Sequence, residues 1–500
     1  LTETLDKPLP LLGVDQSLTN KSWHLREADD AIVSRMAREN RVSELIARIL
    51  AVRGITPEEA AGFLEPRLRD SFPDPSSFQD MDLAAQRIWE AVEAGRKITV
   101  FADYDVDGAT SAAQLIHWLR AVGNEPGYYV PDRIEEGYGP NIEAFRRIKS
   151  EGTDLVITVD CGAAAHETLN EAAAMALDVI VIDHHLMDGE FPRALALVNP
   201  NRPDDTSGCG HLAAAGVTFI LLAALNREGR RRGRFQGGEE PDILALSDLA
   251  ALGTICDVVP LTGVNRAIVT TGLRVMSQWS RPGLSALAET AGVDGQATTY
   301  HAGFLLGPRI NAGGRVGQAD LGTQLLTGDE PASLSRIAEH LDLLNKERRA
   351  IETRVLDEAM VQIERQGADR SILIASGDDW HPGVIGVVAG RIKERFDRPA
   401  LVIGVDRNCA TPVAKGSGRS VPGVNLGAAI VAARDAGLLL AGGGHAMAAG
   451  LSADPDRLTE LEVFLDQRLA PELAAADEAR RREVDALVTI PAADLAMCDA

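Results

Sequence analysis

Asp103, Asp105 and Asp107 occupy alternate positions in Asp-Tyr-Asp-Val-Asp-Gly, at the end of the apolar run Lys97–Asp103. Asp160 ends a second such run, Asp154–Asp160, and Asp183-His184-His185 ends a third that starts at Asp178. Asp257 follows a fourth apolar segment, Ala251–Cys256. In an open parallel sheet the carboxyl ends of the strands share one edge, where ligands bind. Four separate segments therefore bring carboxylates and imidazoles to one place. Converging carboxylates repel one another unless a cation sits among them. Oxygen donors suit hard divalent ions such as Mg²⁺ or Mn²⁺, and a mixed carboxylate–imidazole set leans to Mn²⁺. Two such ions ~3.5–4 Å apart clamp the attacking and leaving oxygens of a phosphoryl transfer. One Asp after a strand is commonly no more than a helix N-cap. The whole set, with its adjacent histidines, points to a two-metal centre.

The elements that must hold these residues follow from apolar patterning. Residues 1–75 form an N-terminal extension with a helical pattern at Arg41–Ala51 and a Pro-rich loop at Phe72–Ser76. From 76 to 330, apolar β-branched runs alternate with helical segments (Met81 to Gly95, Thr110 to Val122, an Ala-rich stretch after Asp160), the signature of a parallel α/β sheet. Residues 331–367 read as one long connecting helix, with apolar residues from Ile337 to Ile363 at helical spacing and Gly367 as its stop. A second, smaller α/β domain covers 368–456, with strands at Ser371–Ala375 and Ala400–Val405 and a Gly-rich end at Gly442–Gly450. Charged helical sequence then leads to a strand-like run, Ala486–Ile490. Starting at Leu1 and stopping just after that run, the chain reads as an excerpt of a longer protein.

Composition excludes several classes. Fifty basic residues against 73 acidic ones, net −23, exclude a nucleic-acid coat protein but not an enzyme with one local grip. No apolar run approaches the ~18–20 residues of a membrane span, and no signal-peptide pattern opens the chain, so the expected compartment is the cytoplasm. Cysteines at 161, 209, 256, 409 and 498 form no C-x-x-C pair, which argues against disulfides and thiolate zinc. Cys161 and Cys256 adjoin candidate ligands, but their side chains should point elsewhere. Five arginines within Arg227–Arg234 read as a solvated surface loop, and Trp89, His117 and Trp118 as ordinary helix-face residues.

The segments Asp103–Ser111, Val159–Gly162, Asp183–His185 and Leu252–Leu261 resemble the four motifs of the DHH phosphoesterase superfamily. Gly307–Arg315, Trp380–Gly386, Gly416–Ser420 and Gly443–Gly450 are similar to further motifs of the RecJ single-strand DNA exonucleases, and the set runs in order over residues 98 to 450. The resemblance implies metal ligation by Asp105, Asp107, Asp160, His184 and Asp257, with Asp103 a ligand or immediate supporter. His185 would contact the scissile phosphate or orient a ligand. Phe101 stands where many family members have histidine, which implies weaker binding of one ion. Arg309, Asn311, Arg315, His381, Ser417, Arg419 and His445 would hold the substrate, the first three facing the metals across a cleft. Gly416–Ser420 reads as a small turn whose backbone N–H groups, hydroxyls and guanidinium make an anion nest.

The implied activity is 5′-to-3′ hydrolysis of single-stranded DNA to 5′-mononucleotides in repair and recombination, by a monomer acting with single-strand-binding protein and a helicase. Residues 470–500 would open a truncated OB-fold, whose aromatic platform this chain, with 4% aromatic residues, lacks. Three alternatives share these motifs: a nanoRNase or bisphosphate phosphatase, an inorganic pyrophosphatase, and an inactive replisome scaffold. The first two are much shorter chains, and the third should have lost ligands.

Overall fold

In the computed structural model, which describes residues 10–18, 21–133, 135–187, 189–367, 369–407, 412–478, 481–493 and 497, the apolar runs do become strands. They are β1 (Ile98–Ala102), β2 (Gly127–Tyr129), β3 (Leu155–Val159), β4 (Asp178–Ile182) and β5 (Ala196–Val198). They pair in the order β2-β1-β3-β4-β5, all parallel. Every residue of β1 and β3 is buried, which is why these strands read as continuous apolar runs rather than alternating ones. Helices Met81–Glu93, Val106–Ala121 and Ala214–Arg231 fill the core on one face, where the Trp89 and Trp118 rings meet edge-on at 5.4 Å. Phe101, Phe145 and Leu169 pack on the other.

The chain divides into two compact units, Pro66–Ala350 and a second that joins residues to Glu65 with those from Ile351. The N-terminal extension thus belongs with the C-terminal part. Ser22–Leu25 pairs in parallel with Arg481–Val484, and Arg48 donates to the Asp485 carbonyl at 3.0 Å. The expected strand at Ala486–Ile490 is not one; the strand lies earlier, and Ile490–Ala492 begins a short 3-10 turn. Pro491 lacks the N–H that a strand continuing through it would donate. An opening OB-fold strand therefore does not appear where it was expected.

The second unit carries a mixed sheet of β6 (Leu373–Asp378), β7 (Ala400–Asp406), β8 (Val413–Arg419), β9 (Ala441–His445) and β10 (Ala448–Ala453), ordered β9-β10-β8-β7-β6, with only β6 and β7 parallel. The long helix runs Pro331–Gln366, as its spacing predicts. The Arg227–Arg234 cluster is not a loop but the end of helix Ala214–Arg231, and acids neutralise it: Arg227 pairs with Asp74 and Asp82, and Arg232 with Glu93 and Glu228. Cys409 and Cys498 lie outside the described residues. Among the described residues, no helix is long and apolar enough to cross a membrane.

Candidate metal centre and phosphate site

Asp105 caps helix Val106–Ala121, accepting from the Asp107 and Gly108 amides at 2.8 and 3.1 Å. The helix starts earlier than Thr110, and this places Asp107 in its first turn. Gly108 makes that possible: a Cβ there would lie 2.3 Å from the Asp103 carbonyl oxygen. Asp107 is buried and accepts from the Ala214 and Ala215 amides at 2.7 and 2.9 Å, at the N-terminus of the next helix. Helix N-termini favour anions.

Asp160 leaves β3 with φ +61°, a left-handed conformation that Asp tolerates better than most residues. Asp257 does not follow a strand. It ends helix Ser247–Cys256, and the exposed Val258 after it has φ +60°, costly for a β-branched residue. A short, mostly apolar run fits a buried helix as well as a buried strand.

The histidines are set by their neighbours. His184 Nδ1 lies 3.0 Å from the Leu212 carbonyl, which only accepts, so Nδ1 carries the proton and Nε2 presents a lone pair. That Nε2 lies 3.3 Å from Asp160, 3.7 Å from Asp257 and 3.9 Å from Asp107. Asp183 accepts from the Ala163, His184 and His185 amides and from His185 Nδ1 at 2.8 Å. It organises the turn rather than facing the cation site. Burial would depress the His185 pKa, but the Asp183 bond and charge outweigh it and lift it to about 9. The same bond lowers Asp183 against its own burial.

Ligand atoms of Asp103, Asp105 and Asp160 lie within 4.8 Å of one another, as do those of Asp107, His184 and Asp257, and those of Asp160, His184 and His185. Burial first, then neighbouring carboxylates, raise Asp103 to about 8 and Asp257 to about 7, and push Asp107 and Asp160 well up. The buried Oδ1 atoms of Asp103 and Asp160 have no hydrogen-bond partner among the described residues. Buried acceptors that repel one another and lack donors fit a pair of hard divalent cations. Phe101 is a core residue, stacked on Tyr129 at 5.4 Å and edge-on to Phe145 at 5.7 Å, while Asp103 stands with Asp105 and Asp160 in a group that could hold an ion.

A cavity of about 310 Å³ opens over this centre, lined by Asp103, Tyr104, Asp105, Arg133, Tyr138, Asp160, His185, Cys256, Asp257, Asn311 and Arg315. Asn311 accepts from the Val106 amide at 3.1 Å, so its helix, Gly307–Val316, is tied to the turn that carries Asp105 and Asp107. Burial, then the charges of Arg133 and Arg348, lower the Arg315 pKa to about 10. Two clustered guanidiniums in a polar cavity are a site for an anion. Arg309 does not line it. Its guanidinium is held by Asp342 at 2.9 Å and by the Leu305 carbonyl at 2.7 Å, which makes it a brace to the long helix. Arg133 and Tyr138 carry no sequence signal of their own, lying on the stretch between β2 and the helix Ile142–Ser150. Tyr138 donates to the Asp160 carbonyl at 3.0 Å and its hydroxyl is 3.2 Å from His185 Nδ1. Cys161 is buried with its thiol pushed up by that burial and by nearby carboxylates, and Cys256 likewise, so neither is a thiolate nucleophile.

In the second unit, Gly416–Arg419 is not a turn but part of β8, so no backbone nest forms there. Ser417 and Arg419, two apart, share one face of the strand. A Cβ on Gly386 would stand 2.9 Å from Ser417 Oγ and 3.2 Å from Arg419 Nη2, so helix Pro382–Phe396 approaches that face closely. Arg419 pairs across β10 with Ala448, which pairs with His445, an exposed residue of β9. His381 caps the helix, accepting from the Gly383 amide at 3.1 Å.

The parallel sheet with carboxylates at its ends, followed by a second mixed-sheet unit, defines a DHH-family protein. A family model described as the DHH family N-terminal domain matches residues 97–254, and one for the DHHA1 domain matches residues 369–470. The chain is 38% identical over 427 residues to the single-stranded-DNA-specific exonuclease RecJ of Dickeya dadantii, covering 83% of this chain and 73% of that one. It is 39% identical over 465 residues to the RecJ of Bacillus subtilis, covering 93% of this chain and 57% of that one. The crystal structure of Thermus thermophilus RecJ in complex with Mn²⁺ superposes with a TM-score of 0.74 at 31% identity, over 92% of this chain and 63% of that one. The chain belongs to the RecJ family.

Proposed function

We propose that this chain is a divalent-metal-dependent exonuclease that hydrolyses single-stranded DNA from the 5′ end to 5′-mononucleotides in repair and recombination. The observation that carries this reading is the pair of ligand groups, Asp103–Asp105–Asp160 and Asp107–His184–Asp257, beside a cavity holding Arg133 and Arg315. Each group would hold one ion, with Asp160 shared. Mn²⁺ or Mg²⁺ bound there would supply Lewis-acid stabilisation of the phosphate and a water acidic enough to attack it. His185, kept protonated by Asp183, would donate from its ring to a phosphate oxygen. Arg315 and Arg133 would pair with the strand's phosphates, and Asn311 would keep its helix in register with the ligands. The RecJ relatives support DNA as the substrate, and two RecJ structures hold Mn²⁺. Cytoplasmic residence, a monomeric state and cooperation with single-strand-binding protein and a helicase belong to the same reading.

Ser417, Arg419, His381 and His445 would hold the strand without touching the ions. Arg419→Ala should then weaken binding to single-stranded DNA and flatten the dependence of log affinity on log salt by about 0.7, the loss of one phosphate contact. Titration calorimetry with Mn²⁺ should give an unchanged metal affinity. Lost metal binding with intact DNA affinity would reverse the assignment. Against a nanoRNase-like activity, turnover of a two-nucleotide RNA and of a long DNA strand should be compared. The long strand should be the better substrate; a preference for the dinucleotide would replace the reading.

A further inference from the structure

The residues leading into helix Gly307–Val316 are wound as a π-helix, His301–Leu306, an arrangement that is rare and concentrates at functional sites. With the residue before it, this segment presents two aromatic rings to solvent. Phe304 is 70% exposed, the most exposed aromatic side chain among the described residues, and Tyr300 is 59% exposed. Their centroids are 5.3 Å apart and their planes within 20° of parallel, so they form one stacked pair. Trp89, Trp118, Phe101, Phe145 and Phe219 of this unit are buried, and its other exposed rings, Tyr128, Tyr138 and Phe191, are less exposed than this pair. Tyr300 and Phe304 are the two most exposed of these rings, and they stack on each other.

Their position ties them to the metal centre. A Cβ on Gly303 would stand 3.4 Å from Ile255 Cγ2, and one on Gly307 would stand 2.4 Å from Cys256 Sγ. The Cys256 thiol donates to the Ala302 carbonyl at 3.7 Å. The π-helix is thus laid against the last turn of the helix that delivers Asp257. At its other end the chain runs directly into Asn311 and Arg315 of the cavity wall. An exposed aromatic pair on a segment packed beside Cys256 and continuous with Asn311 and Arg315 of a polar cavity matches single-stranded nucleic acid, in which flat bases alternate with anionic phosphates. Any base offers a π-face, so such a contact tolerates every sequence.

We propose that Tyr300 and Phe304 form a stacking platform for a base of the strand whose phosphates enter the cavity. This rests on the nuclease reading above, and it revises the expectation that the chain lacks a base-stacking surface. Neither ring is a metal ligand, and both are exposed, so their removal should leave the fold intact.

The test is fluorescence anisotropy at one salt concentration in chelator, where no hydrolysis occurs. Two labelled strands are compared: an oligothymidylate, and a strand of the same length made abasic throughout. The double variant Tyr300→Ala/Phe304→Ala should bind the base-bearing strand about tenfold more weakly than the wild type, on the scale of one stacked base. Its affinity for the abasic strand should be unchanged, and Phe304→Trp should bind the base-bearing strand at least as well as the wild type. Wild-type affinity in the double variant, or an equal loss on both strands, would overturn the platform. Hydrolysis with Mn²⁺, measured separately, tests the nuclease reading: a wild type that binds with base-dependence but cleaves nothing would refute that reading alone.

Discussion

Asp160→Ala should yield a folded protein that hydrolyses single-stranded DNA at least ~10³-fold more slowly than the wild type, the scale of losing a principal catalytic group. Asp160 is the carboxylate that belongs both with Asp103 and Asp105 and with His184 and His185. Its buried Oδ1 accepts no hydrogen bond among the described residues, and its close neighbour is His184 Nε2 at 3.3 Å, so removing it breaks no hydrogen bond of that atom. What changes is the charge that Asp160 brings to both groups of candidate ligands. Its φ of +61° complicates the alanine, because that conformation is strained for Ala. Asp160→Asn keeps the conformational tolerance while removing the charge, and should be comparably inactive. Circular dichroism with initial rates under saturating Mn²⁺ checks both. More than a tenth of wild-type activity in either variant would show that Asp160 does not bridge the ions.

Gly108→Ala should cost about 3 kcal/mol of stability, at the upper end of overpacking, although it adds one methyl group and raises helix propensity. The reason is geometric. The new Cβ would fall 2.3 Å from the Asp103 carbonyl oxygen and 2.8 Å from its nitrogen, which are backbone atoms with nowhere to retreat. Relief requires moving the first turn of helix Val106–Ala121 away from the end of β1, and that turn carries Asp107 while Asp105 caps it. Urea unfolding should show the loss of stability, and calorimetry should show weakened Mn²⁺ binding in the fraction that remains folded. A variant with wild-type midpoint and wild-type metal affinity would mean that the Asp103 backbone does not confine the turn at Gly108.

Much of this site is legible in the sequence because its determinants are local. Asp103, Asp160 and Asp183 each end a run that is apolar because the strand is buried on both faces, and strand, turn and ligand lie within a few residues. The helix Pro331–Gln366 is likewise announced by its own periodicity and by the glycine after it. What is not legible depends on partners distant in the chain. The pairing of Ser22–Leu25 with Arg481–Val484 unites the two ends of the molecule without any pattern in either segment. Arg309 has the right type and neighbourhood for a phosphate contact, and only the position of Asp342 on the long helix shows that it is already engaged. Arg133 and Tyr138 enter the cavity from a loop whose composition is unremarkable. Gly416–Arg419 looks like a turn by composition, yet β7 and β10 on either side fix it as a central strand, where small residues admit Leu426 and Leu451 against the sheet.

Hydrolysis of a single strand should depend on two divalent ions held by the aspartates and His184. The most direct measurement uses chelator-stripped protein and a 5′-labelled single-stranded DNA, with Mn²⁺ or Mg²⁺ restored in a titration. Cleavage should be absent without metal and recover as two ions per chain are bound, with labelled mononucleotide as the product from the earliest time point. Cleavage that persists in chelator, or a label that first appears in long internal fragments, would contradict it.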